Sequence, residues 1–348
     1  MSERKCKGCG IPLQSEDPKA YGYIRKDDQA YCQRCYRLIH YGERKDLGKR
    51  YVKNKDVLDI YEKYSSDVIV LVIDVYEVLF SDISDLLDRF DGHRVIFVLS
   101  KCDLLPEGFS QDILQERVTA VLKKYAVHIE IVDLLLTSSK DPGFPSFFKS
   151  VLDDHKLKKA VFAGRANAGK SSLINRLLGN DDLTVSRYPG TTLSDVVIKD
   201  REYTYIDTPG LYDPENILSY IPLEKAELLT LSRSPRPRNF QIYEPQSYFM
   251  EGLLRIDVFP KKASTLIIHM SPLLEVHRTK AESADRYFDR NKKDLSLKFD
   301  TYSETKKRYK GTSIFYIKGL GLFRIVGEGE VRLHTYDKMK VIQSEVFI

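Results

Sequence analysis

Nine residues, Gly164-Arg165-Ala166-Asn167-Ala168-Gly169-Lys170-Ser171-Ser172, have the types and spacing to hold a chain of phosphates. They match G-x-x-x-x-G-K-[ST] in full. In such a loop the backbone N–H groups from Asn167 through Ala168 and Gly169 to Ser172 face the phosphates, helped by the positive end of the following helix. Lys170 reaches the β/γ-phosphates and the Ser171 hydroxyl binds Mg²⁺. The chemistry needs a strand before the loop and a helix after it. Lys159–Ala163 reads as a short buried strand, and Ser172–Leu178 as a helix that stops at Gly179.

Downstream, Tyr203-Thr204-Tyr205-Ile206-Asp207-Thr208-Pro209-Gly210 reads as a strand ending in D-x-x-G. Asp207 is expected near the metal, and Gly210, with no side chain, lets its N–H approach a γ-phosphate. Between loop and strand, Pro189-Gly190-Thr191-Thr192 offers two threonines to the nucleotide, with Thr192 on Mg²⁺. Segments of this kind are ordered by the γ-phosphate and relax after hydrolysis.

A phosphate loop does not choose a base. Upstream, His93–Leu99 reads as a strand running into Ser100-Lys101-Cys102-Asp103, similar to the guanine motif N-K-x-D. A carboxylate at Asp103 can accept from the ring N–H and the exocyclic amine of guanine, a donor pair that adenine lacks. The stem of Lys101 can lie against the ring. A strand at Val127–Val132 leads to Thr137-Ser138-Ser139-Lys140, similar to the S-A-K element that closes over the base. GTP and GDP are the expected ligands. Ser100 stands where the motif has asparagine, and the lost amide is expected to weaken nucleotide binding without changing the choice of base. Ser139 in place of alanine is a small change.

Four of the five cysteines form two pairs, Cys6-Lys7-Gly8-Cys9 and Cys32-Gln33-Arg34-Cys35. Two such turns facing each other supply four thiolates in a tetrahedron, so zinc is the expected occupant. Iron on the same thiolates and a pair of disulfides are the alternatives. Lys5, Lys7, Arg34, Arg37, Tyr31 and Tyr36 beside the ligands suit either RNA contact or bracing of the next domain. Cys102 has no partner pair and reads as a small buried side chain.

The chain has 348 residues, 30% of them charged, enough for two or three domains with real cores. Its net charge of +5 hides a gradient: +5 over residues 1–50, −7 over 51–222 and +7 over 223–348. Basic ends attract polyanions, whereas an acidic middle must bind a nucleotide by local geometry. The longest apolar run, Val68–Ile73, is far too short to span a bilayer, and residues 1–6 lack a secretory h-region. The expectation is a soluble, cytoplasmic monomer with no membrane partner.

In ordinary GTPases the phosphate loop comes first and the guanine motif and base-closing element last. Here the last two come first, and Val68–Asp74 looks like the strand that normally follows D-x-x-G. That order is a circular permutation. A cysteine ribbon, a permuted GTPase and a basic C-terminal part together resemble the YqeH family of bacterial ribosome-assembly GTPases. The resemblance implies a doubly wound α/β P-loop GTPase acting in assembly of the small (30S) ribosomal subunit, with rRNA or ribosomal proteins as partners. The domains expected are a zinc ribbon at 1–48, the permuted GTPase at 49–222, and a basic α+β RNA- or protein-binding domain at 223–348. A GTP-gated adaptor that docks proteins and ignores RNA is the alternative. Leu211 follows D-x-x-G and cannot orient water as glutamine does. Asn167 resembles the asparagine that holds potassium in several assembly GTPases, so slow, K⁺-stimulated hydrolysis is expected, carried by Asn167, Lys170, Thr192 and Gly210.

In the C-terminal third, Phe249–Phe259 and Thr312–Phe323 are rich in β-formers, with Gly319, Gly321, Gly327 and Gly329 read as turns or bulges. Ser232–Arg238 reads as an exposed basic loop, and Lys306-Lys307-Arg308-Tyr309-Lys310 as a basic cluster.

Overall fold

The run from Val68 contains no polar residue that could face water, so it belongs in the middle of a sheet covered on both sides. A computed structural model describes residues 4–41, 52–106, 111–179, 192–231, 233–295, 297–299 and 301–344. The run forms β1 (Val68–Asp74), buried from Val68 through Ile73. Around it, in chain order, come α1 (Gln33–Tyr41), α2 (Asn54–Lys63), α3 (Val75–Phe80), α4 (Ser84–Leu87), β2 (Arg94–Ser100), α5 (Gln111–Tyr125) and β3 (Glu130–Leu136). There follow α6 (Phe144–Asp154), β4 (Lys159–Ala163), α7 (Lys170–Leu178), β5 (Val196–Asp200) and β6 (Tyr203–Asp207).

The strands pair in the order β3-β2-β1-β4-β6-β5, parallel except for β5. The chain lays β1, β2 and β3 outward in one direction, then returns to the far side of β1 with β4. Val68 lies opposite Ala160 and Leu71 opposite Ala163 along that seam. In open α/β sheets ligands bind outside the carboxyl ends of the strands where the order reverses. Here the phosphate loop leaves β4 at that point, beside Asp74 at the end of β1. The strand that carries the phosphate loop thus comes fourth in the chain yet lies beside the first.

Strand pleating sorts the core. Val68, Val70 and Val72 share a cluster with Phe144, Phe148, Val151 and Leu152 of α6 and Leu173, Ile174 and Leu177 of α7. Ile69, Leu71 and Ile73 point to the opposite face and are equally buried. Phe148 is the hub of an aromatic chain, with ring centroids 5.4 Å from Phe144, 5.7 Å from Phe162 and 6.4 Å from Tyr205.

Strand β3 starts at Glu130, later than the Val127 expected from sequence. Val127 is exposed in a turn whose His128 carbonyl accepts from the Gly92 N–H at 2.8 Å. Its β-branched side chain suggested a strand, but the backbone is taken up by that loop.

The chain packs as two units, Met1–Leu105 with Leu114–Asp213, and Pro106–Ile113 with Pro214–Ile348. The cysteine-bearing segment thus packs in the same unit as the sheet. Residues 214–222 belong with the second unit: the Ile217 N–H donates to the Lys318 carbonyl at 3.0 Å, and the Lys318 ammonium lies 3.2 Å from Glu215.

The second unit is strand-rich: β7 (Arg238–Ile242), β8 (Gln246–Met250), β9 (Leu254–Pro260), β10 (Ser264–Met270), β11 (Val276–Lys280), β12 (Tyr302–Ile317), β13 (Gly321–Tyr336) and β14 (Val341–Ser344), with one regular helix described, α8 (Ala284–Asn291). The pairings between its described strands are antiparallel. Strand β12 pairs along its whole length with β13, from Tyr302↔Tyr336 to Ile317↔Gly321. Gly319 lies in the connecting turn and Gly321 begins β13, but Gly327 and Gly329 lie inside β13 against Ser264, Phe259 and Tyr309. Lys306, Arg308 and Lys310 alternate onto one exposed face of β12. Their opposite positions are Arg332, Glu330 and Glu328, so that face is mixed in charge and less basic than the run alone suggests. Ser232 lies outside the described residues, and Arg238 is not a free loop cation: its guanidinium donates to the Leu274 carbonyl at 2.6 Å.

Phe148→Ala removes the aromatic hub and leaves a cavity between α6 and the sheet. We expect a loss of about 3–5 kcal/mol, read as a lower denaturant midpoint in urea unfolding of the full chain.

Candidate functional site

The phosphate loop lies against the end of β1. Gly164 has φ +137°, and a Cβ there would sit 2.3 Å from the Val72 carbonyl oxygen, so no other residue fits without moving β1. Asn167 also has a left-handed backbone, φ +65°, which asparagine tolerates better than most residues. Strand β6 continues into the loop: the Ala166 N–H donates to the Leu211 carbonyl at 2.9 Å and the Leu211 N–H to the Gly164 carbonyl at 3.1 Å. Gly210 lies against Ala166, and Leu211 is buried.

Lys170 is buried under the loop, its ammonium donating to the carbonyls of Arg165 at 3.1 Å and Gly164 at 3.3 Å. Burial pushes its pKa down to about 8, against the opposing pull of Asp207. Three side-chain oxygens converge beside it. The Ser171 hydroxyl donates to Asp207 Oδ2 at 2.7 Å, and the Thr192 hydroxyl donates to the same oxygen at 2.8 Å. The two hydroxyls are 3.4 Å apart. Asp207 is fully buried, which raises its pKa, and its Oδ1 has no hydrogen-bond partner among the described residues. An orphaned carboxylate oxygen beside two hydroxyls suits a hard divalent cation that prefers oxygen ligands, as Mg²⁺ does. Ser172 occupies the first turn of α7. Pro189, Gly190 and Thr191 lie outside the described residues.

At the other end of the cleft, the Lys140 ammonium pairs with Asp103 at 2.9 Å, and the Cys102 N–H donates to the Thr137 carbonyl at 3.1 Å. The guanine-type and base-closing segments are therefore neighbours. The Asp103–Lys140 pair is partly exposed, worth about 0–1 kcal/mol, and readily exchanged for a ligand. Ser138 turns the chain by accepting, through its hydroxyl, the Lys140 N–H at 3.2 Å, and Ser139 sits in that turn. The Ser100 hydroxyl donates to the Ala168 carbonyl at 2.6 Å, tying this segment to the phosphate loop. Ser100, which stands where the motif has asparagine, thus braces the two segments through its hydroxyl. Cys102 is half-buried, and burial pushes its thiol up to about 12, so it is unreactive.

The four paired cysteines form a second cluster. Their sulfurs all lie within 4.8 Å of one another and all four residues are buried. Cys9 Sγ and Cys32 Sγ are 3.8 Å apart. A tetrahedron with ~2.3 Å metal–sulfur bonds has edges of about 3.8 Å, so the cluster is shaped for a metal and too open for disulfides. Cys32 immediately precedes α1 and Cys35 is in its first turn, while the Cys6 carbonyl accepts from the Gly10 N–H at 2.9 Å to close the first knuckle.

Several contributors escape motif reading. Arg165 is buried, with its guanidinium 3.2 Å from Glu77, 2.8 Å from Asp85 and 3.8 Å from Asp213. Burial alone would lower its pKa, but the three carboxylates outweigh it and hold the charge on. Asp74 accepts the Lys101 ammonium at 2.8 Å and also caps α3, fixing the stem that the base would meet. Tyr61 of α2 accepts the Gly164 N–H at 3.3 Å. Arg165 and Asp74 show in the sequence only as charge at a strand end, and Tyr61 not at all; the side chains and backbone they meet are distant in the chain.

The chain is similar to several known proteins. Residues 159–253 match the family described as 50S ribosome-binding GTPase. The match starts at β4, takes in the phosphate loop and the D-x-x-G segment, and runs on past β8 of the second unit. YqeH of Bacillus subtilis is 29% identical over 85% of this chain and 83% of its own length. NO-associated protein 1 of Arabidopsis thaliana is 25% identical over 82% of this chain, which spans 60% of that protein. GTPase Der of Legionella pneumophila (strain Lens) is 33% identical over 34% of the chain.

Two outcomes follow from the cleft. Asp103→Asn replaces an acceptor by a group that also donates, so GDP should bind on the order of 100-fold more weakly, and xanthosine diphosphate should gain relative to it, by titration calorimetry. Bound phosphates raise the pKa of Lys170 above its free value of about 8, so binding takes up a proton at higher pH. GDP affinity should therefore fall as pH rises above about 8, by up to roughly tenfold per unit, and Lys170→Arg should flatten that dependence.

Proposed function

We propose that the chain, which is similar to YqeH and carries a GTPase match, is a circularly permuted GTPase that hydrolyses GTP as a switch in assembly of the small ribosomal subunit, binding rRNA or the pre-ribosome through its terminal parts. The observation that carries the nucleotide part is the Ser100–Ala168 hydrogen bond, which draws the guanine-type segment and the phosphate loop onto one cleft. The ribosomal part rests on the likeness to YqeH and on the description of the matched family, which names the 50S particle. Mg²⁺ would sit on Ser171 and Thr192 beside Asp207, where it would neutralise charge on the β- and γ-phosphates. Lys170 would hold those phosphates, Gly210 would offer its N–H to the γ-phosphate, and Lys101, Asp103, Ser138, Ser139 and Lys140 would enclose the base. Cys6, Cys9, Cys32 and Cys35 would hold zinc, which supplies folding energy to a segment too small for a large core.

Leu211 is buried and has no group to orient water, so charge stabilisation must come from elsewhere. Asn167 in the loop is the candidate potassium ligand. Turnover should be faster in K⁺ than in Na⁺, on the order of tenfold or more, and Asn167→Ala should abolish that difference. Equal rates in the two salts for the unaltered protein would remove the potassium reading.

The chain passes from the D-x-x-G segment to the second unit at Asp213-Pro214. Nucleotide state is therefore expected to change the position of the second unit, and small-angle scattering curves that superimpose for GDP and a GTP analogue would rule this out.

Sedimentation of cell extract tests the biological claim. With a nonhydrolysable GTP analogue the protein should travel with small-subunit particles, and less so with GDP, with binding that weakens steeply as salt rises. Travel with large-subunit particles would redirect the assignment, and absence from all ribosomal fractions in both states would favour the protein-docking adaptor.

A further inference from the structure

The cysteine cluster and the magnesium site meet on one short piece of chain. Thr192, whose hydroxyl joins Ser171 on Asp207, is followed by Leu193, Ser194 and Asp195, and then by β5. All three of those residues are held by the cysteine-bearing segment. The N–H groups of Leu193 and Ser194 both donate to the carbonyl of Cys9, each at 2.9 Å. The Leu193 side chain is buried in one cluster with Cys6, Cys9, Cys32 and Cys35, flanked by Ile11, Leu13 and Tyr31. Asp195 accepts the Lys5 ammonium at 2.8 Å on one oxygen, and the Lys63 ammonium at 2.8 Å and the Tyr64 hydroxyl at 2.6 Å on the other.

The approach is close enough to dictate residue type. Gly10 has φ +77°, and a Cβ there would lie 2.5 Å from the Ser194 carbonyl oxygen and 2.9 Å from that of Asp195. The ring of contacts is polar, apolar and ionic at once, and it falls on the residues that fix where Thr192 points.

We propose that the cysteine knuckle is a positioning element of the GTPase site: by gripping Leu193–Asp195 it holds Thr192 for Mg²⁺ and the γ-phosphate, so that metal at the four cysteines and nucleotide in the cleft stabilise each other. The proposal rests on the reading of the four cysteines as zinc ligands. Linkage is reciprocal. Whatever fixes Thr192 also fixes the backbone that Cys9 accepts from, and so retards opening of the knuckle. GDP has no γ-phosphate for Thr192 to serve, so the effect should belong to the triphosphate state.

The test uses the full chain, purified with its metal, and times zinc extraction by a colorimetric chelator. A nonhydrolysable GTP analogue with Mg²⁺ should slow extraction about fivefold or more relative to nucleotide-free protein, with GDP much less effective. Leu193→Ala and, as a surface change that cannot unfold the core, Lys5→Ala should each shrink that difference. Both should also lower the ratio of analogue affinity to GDP affinity by several-fold. Extraction at one rate in all nucleotide states of the unaltered protein would overturn the proposal, as would an unchanged affinity ratio in both variants. Hydrogen exchange at the Leu193 and Ser194 amides separates this failure from that of the zinc reading. Should the protein purify without metal, the zinc assignment falls. Protection of those two amides, stronger with the analogue than with GDP, would then still support the grip, and fast exchange in both states would remove it.

Discussion

The seam between β1 and β4 is the constraint on which the nucleotide site depends. The guanine-type segment follows β2, next to β1, and the phosphate loop follows β4, yet in the sequence these stretches stand in the reverse of the usual order. Only lateral pairing brings them together, from Val68↔Ala160 to Leu71↔Ala163. At the end of the seam the loop passes so near β1 that Gly164 has no room for a side chain. Two hydrogen bonds finish the join: Ser100 to the Ala168 carbonyl, and the Gly164 N–H to Tyr61. The fold is indifferent to where the chain begins because the core is built from strand neighbours, and those are preserved under permutation.

The seam also bears on charge. Residues 51–222 carry a net −7, but the basic residues 1–50 pack in the same unit as the sheet, so net charge does not decide what the cleft holds. What the cleft offers is local: backbone N–H groups, a helix N-terminus and one buried lysine. Burial lowers the pKa of Lys170 and raises that of Asp207, so both charges are costly there, and the proposed phosphate and divalent cation would relieve that cost. The surrounding carboxylates are occupied. Arg165 takes up Glu77, Asp85 and Asp213, and Lys101 takes up Asp74. Pairing them removes competing negative charge from the edge of the phosphate pocket.

Sequence reading found the parts whose chemistry is written in contiguous residues. The phosphate loop, the D-x-x-G strand and the two cysteine pairs each need a fixed spacing, and that spacing is visible. The α7 helix ends at Gly179 as its composition requires, with φ +69° there. Reading failed where the deciding partner is distant. The serine at position 100 looked like a lost brace because its acceptor, the carbonyl of Ala168, lies 68 residues away. Strand β3 was placed too early because Val127 has strand propensity but its backbone serves a turn. The basic run at Lys306–Lys310 looked like a patch because alternation along β12 and the facing acids Glu328 and Glu330 on β13 are invisible without the register. The grip of the cysteine knuckle on Leu193–Asp195 could not be read at all, since nothing in either segment names the other.

The proposed permutation gives these contacts a common sense. A GTPase senses the γ-phosphate at two places, the threonine segment and D-x-x-G. Here the N-terminal segment is bonded to the residues directly after Thr192, and the C-terminal unit is joined by the chain directly after D-x-x-G, at Asp213-Pro214. Each appended part is therefore attached to a different sensing segment. The Arg165 guanidinium in the phosphate loop lies 3.8 Å from Asp213, the last residue before the second unit, so the loop has a charged contact at that exit as well. In an unpermuted chain the D-x-x-G exit would instead be followed by another strand of the same sheet, and its movements would be absorbed within the domain. With the chain ends on the sensing side, the proposed switch would turn the same movements outward, toward whatever the terminal parts hold.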